Sequence, residues 1–154
     1  MSAPRHRLEL DLPAVHRGVR VVRNVVARFA RMQGMGQQES DEMILIASEL
    51  LGNAIDHGGG EAAMTEEDLT SDVRMQLAFE MDGERWTLSV TDEGGGDLEE
   101  VKKLLGTADF FDLEHDRGRG LFLLKAGVDE LDVEASPSGK GLIFRAVKRY
   151  GAGG

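Results

Sequence analysis

Hydrophobic periodicity changes along the chain, and this change constrains the fold more than any other feature of the sequence. From Val15 to Ala30, apolar residues recur at helical spacing, which predicts an amphipathic helix that ends near Gly34. Later segments alternate apolar and polar residues, as half-buried strands do. A chain with both patterns needs a helical layer and a sheet layer that cover each other's apolar faces.

The other elements are predicted from the same patterns. Leu8–Leu12 is expected to be an edge strand, followed by Pro13, which can open the first helix. A second helix is expected from Ser40 or Met43 to the glycines at 58–60. The stretches VRMQLAFEM and RWTLSVTD flank Asp-Gly-Glu and predict a hairpin.

The C-terminal third continues the pattern. After a polar loop, GLFLLKAGVDEL is expected to be a helix, and LDVEAS and LIFRAVKRY two further strands. The predicted order is β-α-α-β-β-loop-α-β-β, which indicates an α+β fold. We expect a two-layer sandwich in which a mixed, mainly antiparallel sheet is covered on one face by helices.

Composition excludes several classes of function. The formal net charge of −10 argues against a chain that mainly grips phosphate backbones of nucleic acid. The absence of cysteine and the scatter of four histidines argue against disulfides and a histidine-cysteine metal site. With no signal-peptide pattern and no apolar run long enough to cross a bilayer, we expect a soluble, cytoplasmic protein.

The second predicted helix carries a polar stripe. Its apolar face is expected to consist of Ile44, Ala47, Leu51, Ala54 and Ile55, whereas Glu49, Asn53 and Asp56 project together on nearly the opposite side. One interpretation is an ordinary solvent-facing stripe. The other is a site in which an Asn oxygen and a carboxylate share a polyphosphate and its metal ion.

Two glycine clusters follow, and each also has two interpretations. Asp92 ends a predicted strand before Gly94 and Gly96, which indicates either a turn or an acceptor for the adenine amine beside an open backbone. Arg117-Gly118-Arg119-Gly120 precedes a helix, which indicates either a capped junction or a phosphate cradle. The motifs of P-loop and dinucleotide-binding proteins are absent.

In order, Glu49-x-x-x-Asn53, Asp92-x-Gly94-x-Gly96 and Gly118-x-Gly120-Leu121 resemble the N, G1 and G2 boxes of the GHKL (Bergerat-fold) ATP-binding superfamily. SELLGNAIDHG and RGRGLFLL look most like the bacterial anti-sigma-factor serine/threonine kinases. The resemblance extends from about Leu8 to Tyr150. It implies a Bergerat fold and one histidine-kinase-like ATPase domain over residues 1–154, with flexible ends at 1–6 and 151–154.

The resemblance also implies roles for individual residues. Glu49 would be the catalytic carboxylate and Asn53 the Mg²⁺ ligand, with ATP and Mg²⁺ as cofactors. Asp92 would recognise adenine, Gly94 and Gly96 would shape its pocket, and residues 97–117 would form the ATP lid. At the helix start, the phosphates would be bound by Arg117, Gly118, Arg119, Gly120 and Leu121.

Two features depart from the family pattern. Gly141-Leu142 stands where the family often has Gly-Thr, and the insert 58–72 is longer than usual. Neither of these two departures removes a residue of the three boxes. His57, near the helix end, agrees with the family pattern.

By the same resemblance, the partners would be a sigma factor and an anti-sigma-factor antagonist, and relatives commonly form homodimers. Two alternatives stay open: an ATP-binding module that sequesters a partner without phosphoryl transfer, and a detached catalytic domain of a histidine kinase.

An arginine stripe on the first helix is either a solvated face or a docking surface for an acidic protein. The stripe consists of Arg17, Arg20, Arg28 and Arg31.

Overall fold

The computed structural model describes residues 5–13, 15–54, 74–92, 98–99, 102–103, 124–137 and 141–150. In these ranges two long helices precede most of a five-stranded sheet, which gives the expected α+β fold. The elements are β1 (His6–Pro13), α1 (His16–Met32), α2 (Gln37–Ala54), β2 (Arg74–Met81), β3 (Arg85–Asp92), β4 (Glu130–Ala135) and β5 (Leu142–Arg149). A short helical stretch at 124–127 precedes β4.

The sheet has the strand order β1-β2-β3-β5-β4, and every pairing between these five strands is antiparallel. The described strands therefore contain no parallel pair of the kind that a mixed sheet implies. β1 is an edge strand, as predicted, whereas β5 lies inside the sheet between β3 and β4. Both helices pack on the sheet, α1 against β1 and α2 against β3 and β5.

Alternation along the strands separates a buried face from an open one. In β2, buried Met75, Leu77, Phe79 and Met81 alternate with more exposed residues, as the sequence pattern predicted. Phe79 is the centre of an aromatic cluster, because its ring lies 6.0 Å from that of Phe29 on α1 and 6.3 Å from that of Trp86 on β3. The helices and the sheet therefore share one hydrophobic core.

The turn between α1 and α2 has a regular helix-ending geometry. The Met35 amide donates to the Ala30 carbonyl and the Gly34 amide to the Arg31 carbonyl, each at 3.0 Å. Gly34 has a φ of 98°, which favours glycine at this position. The sequence prediction of a helix end near Gly34 is confirmed.

The hairpin between β2 and β3 is also confirmed. Gly83 has a φ of 92°, and the Asp82 carboxylate accepts hydrogen bonds from the amides of Arg85 at 2.8 Å and Glu84 at 2.9 Å. These bonds lower the pKa of Asp82, because they stabilise its ionised form. The Gly83 amide also donates to the Tyr150 hydroxyl at 3.2 Å, so that the end of β5 holds the turn in place.

Several predicted boundaries were wrong. β1 begins at His6 and ends at Pro13, which pairs with Arg74, so Pro13 belongs to the strand. α2 begins at Gln37, before the predicted start. Glu130 is a strand residue in register with Val147, because pairing with β5 prevails over the helical pattern of GLFLLKAGVDEL.

Candidate functional site

Glu49 and Asn53 both belong to α2, where a spacing of four residues places them about one turn apart on one side of the helix. Ala47 and Leu51 are buried as predicted, but Ile44 is only half-buried. The apolar face also includes residues that the sequence prediction omitted, namely Met43, Ile46 and Leu50.

This wider apolar face changes the setting of Glu49. Its side chain is half-buried and follows the buried Ile46 by three residues, so that Glu49 lies at the border of the apolar face and not opposite it. A carboxylate at such a border keeps access to solvent while its surroundings are partly apolar.

An ion pair shows how α2 lies on the sheet. The Lys148 ammonium is 3.1 Å from the Glu42 carboxylate, and Lys148 is in register with Trp86 near the start of β3. The beginnings of α2 and β3 are therefore neighbours. Asn53 lies in the last turn of α2, and Asp92 is the last residue of β3.

A cavity of about 230 Å³ borders Glu49 and is called the α2 cavity below. It lies between α2, the helical stretch 124–127 and β5, and its lining consists of Glu42, Leu45, Ile46, Glu49, Leu124, Gly127 and Lys148. The hydrogen bond from Lys148 and its positive charge lower the pKa of Glu42. Glu42 is therefore ionised at neutral pH, and its pairing with Lys148 forms one end of the cavity.

The arginine stripe lies on the exposed side of α1. Arg17, Arg20, Arg28 and Arg31 are exposed, whereas Val22, Val26 and Ala30 are buried against the sheet and α2. A groove of about 650 Å³ runs between α1 and α2 and includes Arg28, Arg31 and the exposed Met32. The first helix thus has the two faces that its sequence predicted.

Comparison with known proteins identifies the family. The model of the histidine kinase-like ATPase domain matches residues 12–146 of this chain. The chain belongs to the histidine kinase-like ATPase family.

Curated relatives of this ATPase domain are named as an anti-sigma factor and a serine-protein kinase. The anti-sigma F factor of Thermoanaerobacter sp. is 30% identical over 94% of both chains. The serine-protein kinase RsbW of Bacillus pumilus is 27% identical over 84% of this chain and 78% of its own length. The GHKL resemblance is confirmed by these matches, and the chain is a histidine kinase-like ATPase that is similar to anti-sigma-factor kinases.

A solved structure has the same fold. The crystal structure of the SiaB-SiaC complex from Pseudomonas aeruginosa contains a chain that superposes with a TM-score of 0.66, at 14% identity, over 91% of this chain and 89% of that one. At this identity the similarity concerns the fold alone. It agrees with the α+β sandwich described above.

Most of the predicted ATP site lies outside the described residues of the ATPase domain. This holds for Gly94, Gly96, Arg117, Gly118, Arg119, Gly120 and Leu121, and also for His57, the insert 58–72 and nearly all of the expected lid at 97–117. Of the predicted site residues, the structure describes Glu49 and the backbone positions of Asn53 and Asp92. Their roles stay predictions.

The chemistry of an Asn side chain is compatible with magnesium. Mg²⁺ is a hard cation that binds oxygen ligands, and the Asn side chain has a neutral carbonyl oxygen. Among the residues that the structure describes, no three His, Asp or Glu side chains form a separate metal cluster.

Sequence reasoning missed the residues that complete the cavity. Lys148 and Gly127 are far from Glu49 in sequence, and no local motif connects them to α2. A methyl group built on Gly127 would be 3.7 Å from the Ile46 Cδ1 atom, which shows how closely the stretch 124–127 approaches the helix.

In the described part of the chain, no helix is both long and apolar enough to cross a membrane.

Proposed function

We propose that this protein is an ATP- and Mg²⁺-dependent serine/threonine kinase that binds a sigma factor and phosphorylates an anti-sigma-factor antagonist. The observation that carries this proposal is the position of Glu49, a half-buried carboxylate that borders a cavity and precedes Asn53 by one turn. The names of the anti-sigma F factor and of the serine-protein kinase RsbW support a sigma-factor partner and phosphorylation of a protein.

In this proposal, the residues of α2 act on both sides of the transferred phosphoryl group. The Glu49 carboxylate accepts the proton of the attacking hydroxyl, while the oxygen forms a bond to the γ-phosphorus and the bond to the ADP oxygen breaks. Asn53 would hold Mg²⁺, which neutralises phosphate charge when bound. Asp92, the last residue of β3, would accept a hydrogen bond from the adenine amine.

The remaining site residues keep the roles that the resemblance implies. Gly94 and Gly96 are proposed to border adenine, and Arg117 to Leu121 are proposed to bind the phosphates at the end of a lid formed by residues 97–117.

The wider setting is also part of the proposal. Residues 1–154 are proposed to form one domain, which the family match over 12–146 supports. We expect the protein to act in the cytoplasm, where ATP and sigma factors are found. A homodimer is the assembly that the resemblance implies.

The test is incubation with Mg·ATP and each candidate antagonist from the same organism, followed by intact-mass measurement. We expect one antagonist to gain a single phosphate on serine or threonine. Glu49→Ala should reduce the initial rate by about 10²- to 10⁴-fold, as expected when a general base is lost. Glu39→Ala is the matched control, because Glu39 belongs to the first turn of the same helix and does not line the α2 cavity.

Two results would contradict the proposal. Unchanged phosphorylation by Glu49→Ala would remove Glu49 from the chemistry. Nucleotide binding with no phosphorylated product for any antagonist would favour the sequestering module, and phosphate on a histidine would favour the detached histidine-kinase domain.

A further inference from the structure

An exposed leucine distinguishes the surface beside Glu49. In the described part of the chain, three large apolar side chains are exposed: Val21 at 58%, Met32 at 80% and Leu45 at 63%. Leu45 alone among these three lines the α2 cavity, where Ile46 and Leu124 provide further apolar surface. Apolar surface beside a carboxylate favours a ligand with both an apolar and a polar group.

The cavity also has a definite position along α2. Its other α2 residues, Glu42, Leu45 and Ile46, precede Glu49, whereas Asn53 follows it. Glu49 therefore separates the cavity from the end of α2 that carries Asn53. A group in the cavity would approach the Glu49 carboxylate from the side opposite to Asn53.

The size of the cavity restricts the occupant. Sites for complete small molecules usually have volumes of about 300 to 1,000 Å³, and the α2 cavity has about 230 Å³. One or two side chains of another protein fit this volume better than a nucleotide does. Leu45 is at the open rim, so that a polypeptide segment can enter from solvent.

We propose that the α2 cavity receives the segment of the protein substrate that carries the acceptor hydroxyl. This proposal rests on the proposed kinase function and names the entry side of its second substrate. The segment has a serine or threonine that reaches Glu49 and a nearby apolar residue that packs on Leu45 and Leu124. The proton of the serine or threonine hydroxyl passes to the Glu49 carboxylate. The hydroxyl oxygen forms a bond to the γ-phosphorus, the bond between this phosphorus and the ADP oxygen breaks, and ADP leaves.

The kinetics of one leucine variant and one valine variant test whether the cavity binds the protein substrate. The probe is the antagonist protein that gains phosphate in the intact-mass experiment. Leu45→Ala should raise the KM for this protein by about 5- to 10-fold, because most of the leucine surface would be buried in the complex. Val21→Ala on α1 is the matched control, since Val21 has similar exposure and lies outside the cavity.

Two further measurements exclude indirect effects. The affinity for Mg·ATP, measured with a fluorescent nucleotide in the absence of antagonist, should be unchanged in both variants. The chain has no cysteine, so that Leu45→Cys and Val21→Cys each introduce a single thiol for a photocrosslinker. The antagonist should crosslink to position 45, through a peptide that contains its phosphorylated residue, and not to position 21.

The outcomes separate this proposal from the kinase function. Phosphoryl transfer with an unchanged KM in Leu45→Ala, or crosslinking at position 21 alone, would overturn the cavity proposal and leave the kinase function intact. No transfer by the unmodified protein to any antagonist would overturn both. A lower affinity for Mg·ATP in Leu45→Ala would assign the cavity to nucleotide binding and also overturn the proposal.

Discussion

The two long helices pack on the same sheet, but they use their surfaces differently. α1 has a buried face that includes Val22 and Val26, and its arginines lie on the exposed side. α2 buries more residues and holds Glu49 at the border of its apolar face. Both helices expose large apolar side chains, but Leu45 of α2 lines the same cavity as Glu49, whereas Val21 and Met32 of α1 do not. An exposed apolar group beside a carboxylate is the arrangement that favours binding of a ligand.

The largest expected effect concerns the core side of α2. Leu50→Ala should lower the free energy of unfolding by about 3 kcal/mol, because Leu50 is completely buried and its loss leaves a cavity. Leu45→Ala on the same helix should change it by less than about 0.5 kcal/mol, since Leu45 is 63% exposed. Urea unfolding measures both. Equal losses would show that exposure does not distinguish these two leucines.

The next effect contrasts the same substitution on the two helices. Asn53→Asp should weaken use of Mg·ATP by about 10²-fold, because a neutral metal ligand is replaced by a charge beside the phosphates. Asn24→Asp is the control, since Asn24 is exposed on α1. Nucleotide titration and single-turnover transfer measure the difference. Similar behaviour of the two variants would remove Asn53 from the metal site.

A smaller effect is expected from the exposed side of α1. Reversal of Arg20 and Arg28 to glutamate should weaken binding of an acidic partner by about 10-fold and reduce the salt dependence of association. Affinity for ATP should stay unchanged, because these arginines and Glu49 belong to different helices. Association can be measured at two salt concentrations, with either the sigma factor or the antagonist that gains phosphate in the intact-mass experiment. Equal loss of partner and ATP binding would contradict a docking role.

The smallest effect concerns the ion pair that connects α2 with β5. Folding lowers the pKa of Glu42 from its ordinary value of 4.5, so the pair stabilises the fold above this pH and loses its contribution as the pH falls through the lower folded value. Both side chains are partly exposed, at 28% for Lys148 and 47% for Glu42. The contribution is therefore about 0.5 kcal/mol.

A comparison of urea unfolding at pH 7 and pH 3 measures this contribution. In Lys148→Met, the part of the pH dependence that belongs to Glu42 should disappear. An unchanged pH dependence in this variant would show that the pair does not stabilise the fold.

The parts of the fold that sequence predicted well are those specified by nearby residues. The valines of α1 and the alternation around Gly83 each contain enough local information for a helix and a hairpin. The helical pattern of GLFLLKAGVDEL extends into β4, because Val147, the partner of Glu130 in β5, cannot be recognised from the neighbouring sequence. The identity of the N-box residues came from resemblance, since a Glu-Asn spacing alone also fits a solvent-facing stripe.

The surroundings of Glu49 could not be predicted for the same reason. The contacts of Ile46 with the stretch near Gly127 and of Glu42 with Lys148 connect distant parts of the chain. Periodicity identified α2 as amphipathic but misplaced the border of its apolar face, because Met43 and Leu50 were not counted. The cavity depends on that border.

The interior position of β5 has a consequence for biosynthesis. β5 leaves the ribosome after the other four strands, yet it must enter between β3 and β4. Until then the nascent chain exposes the unpaired edge of β3, and β4 has no neighbour in the sheet. Completion of the sheet is thus a late, non-local step of folding. Chaperones should therefore bind mainly to nascent chains in which β3, but not yet β5, has left the ribosome.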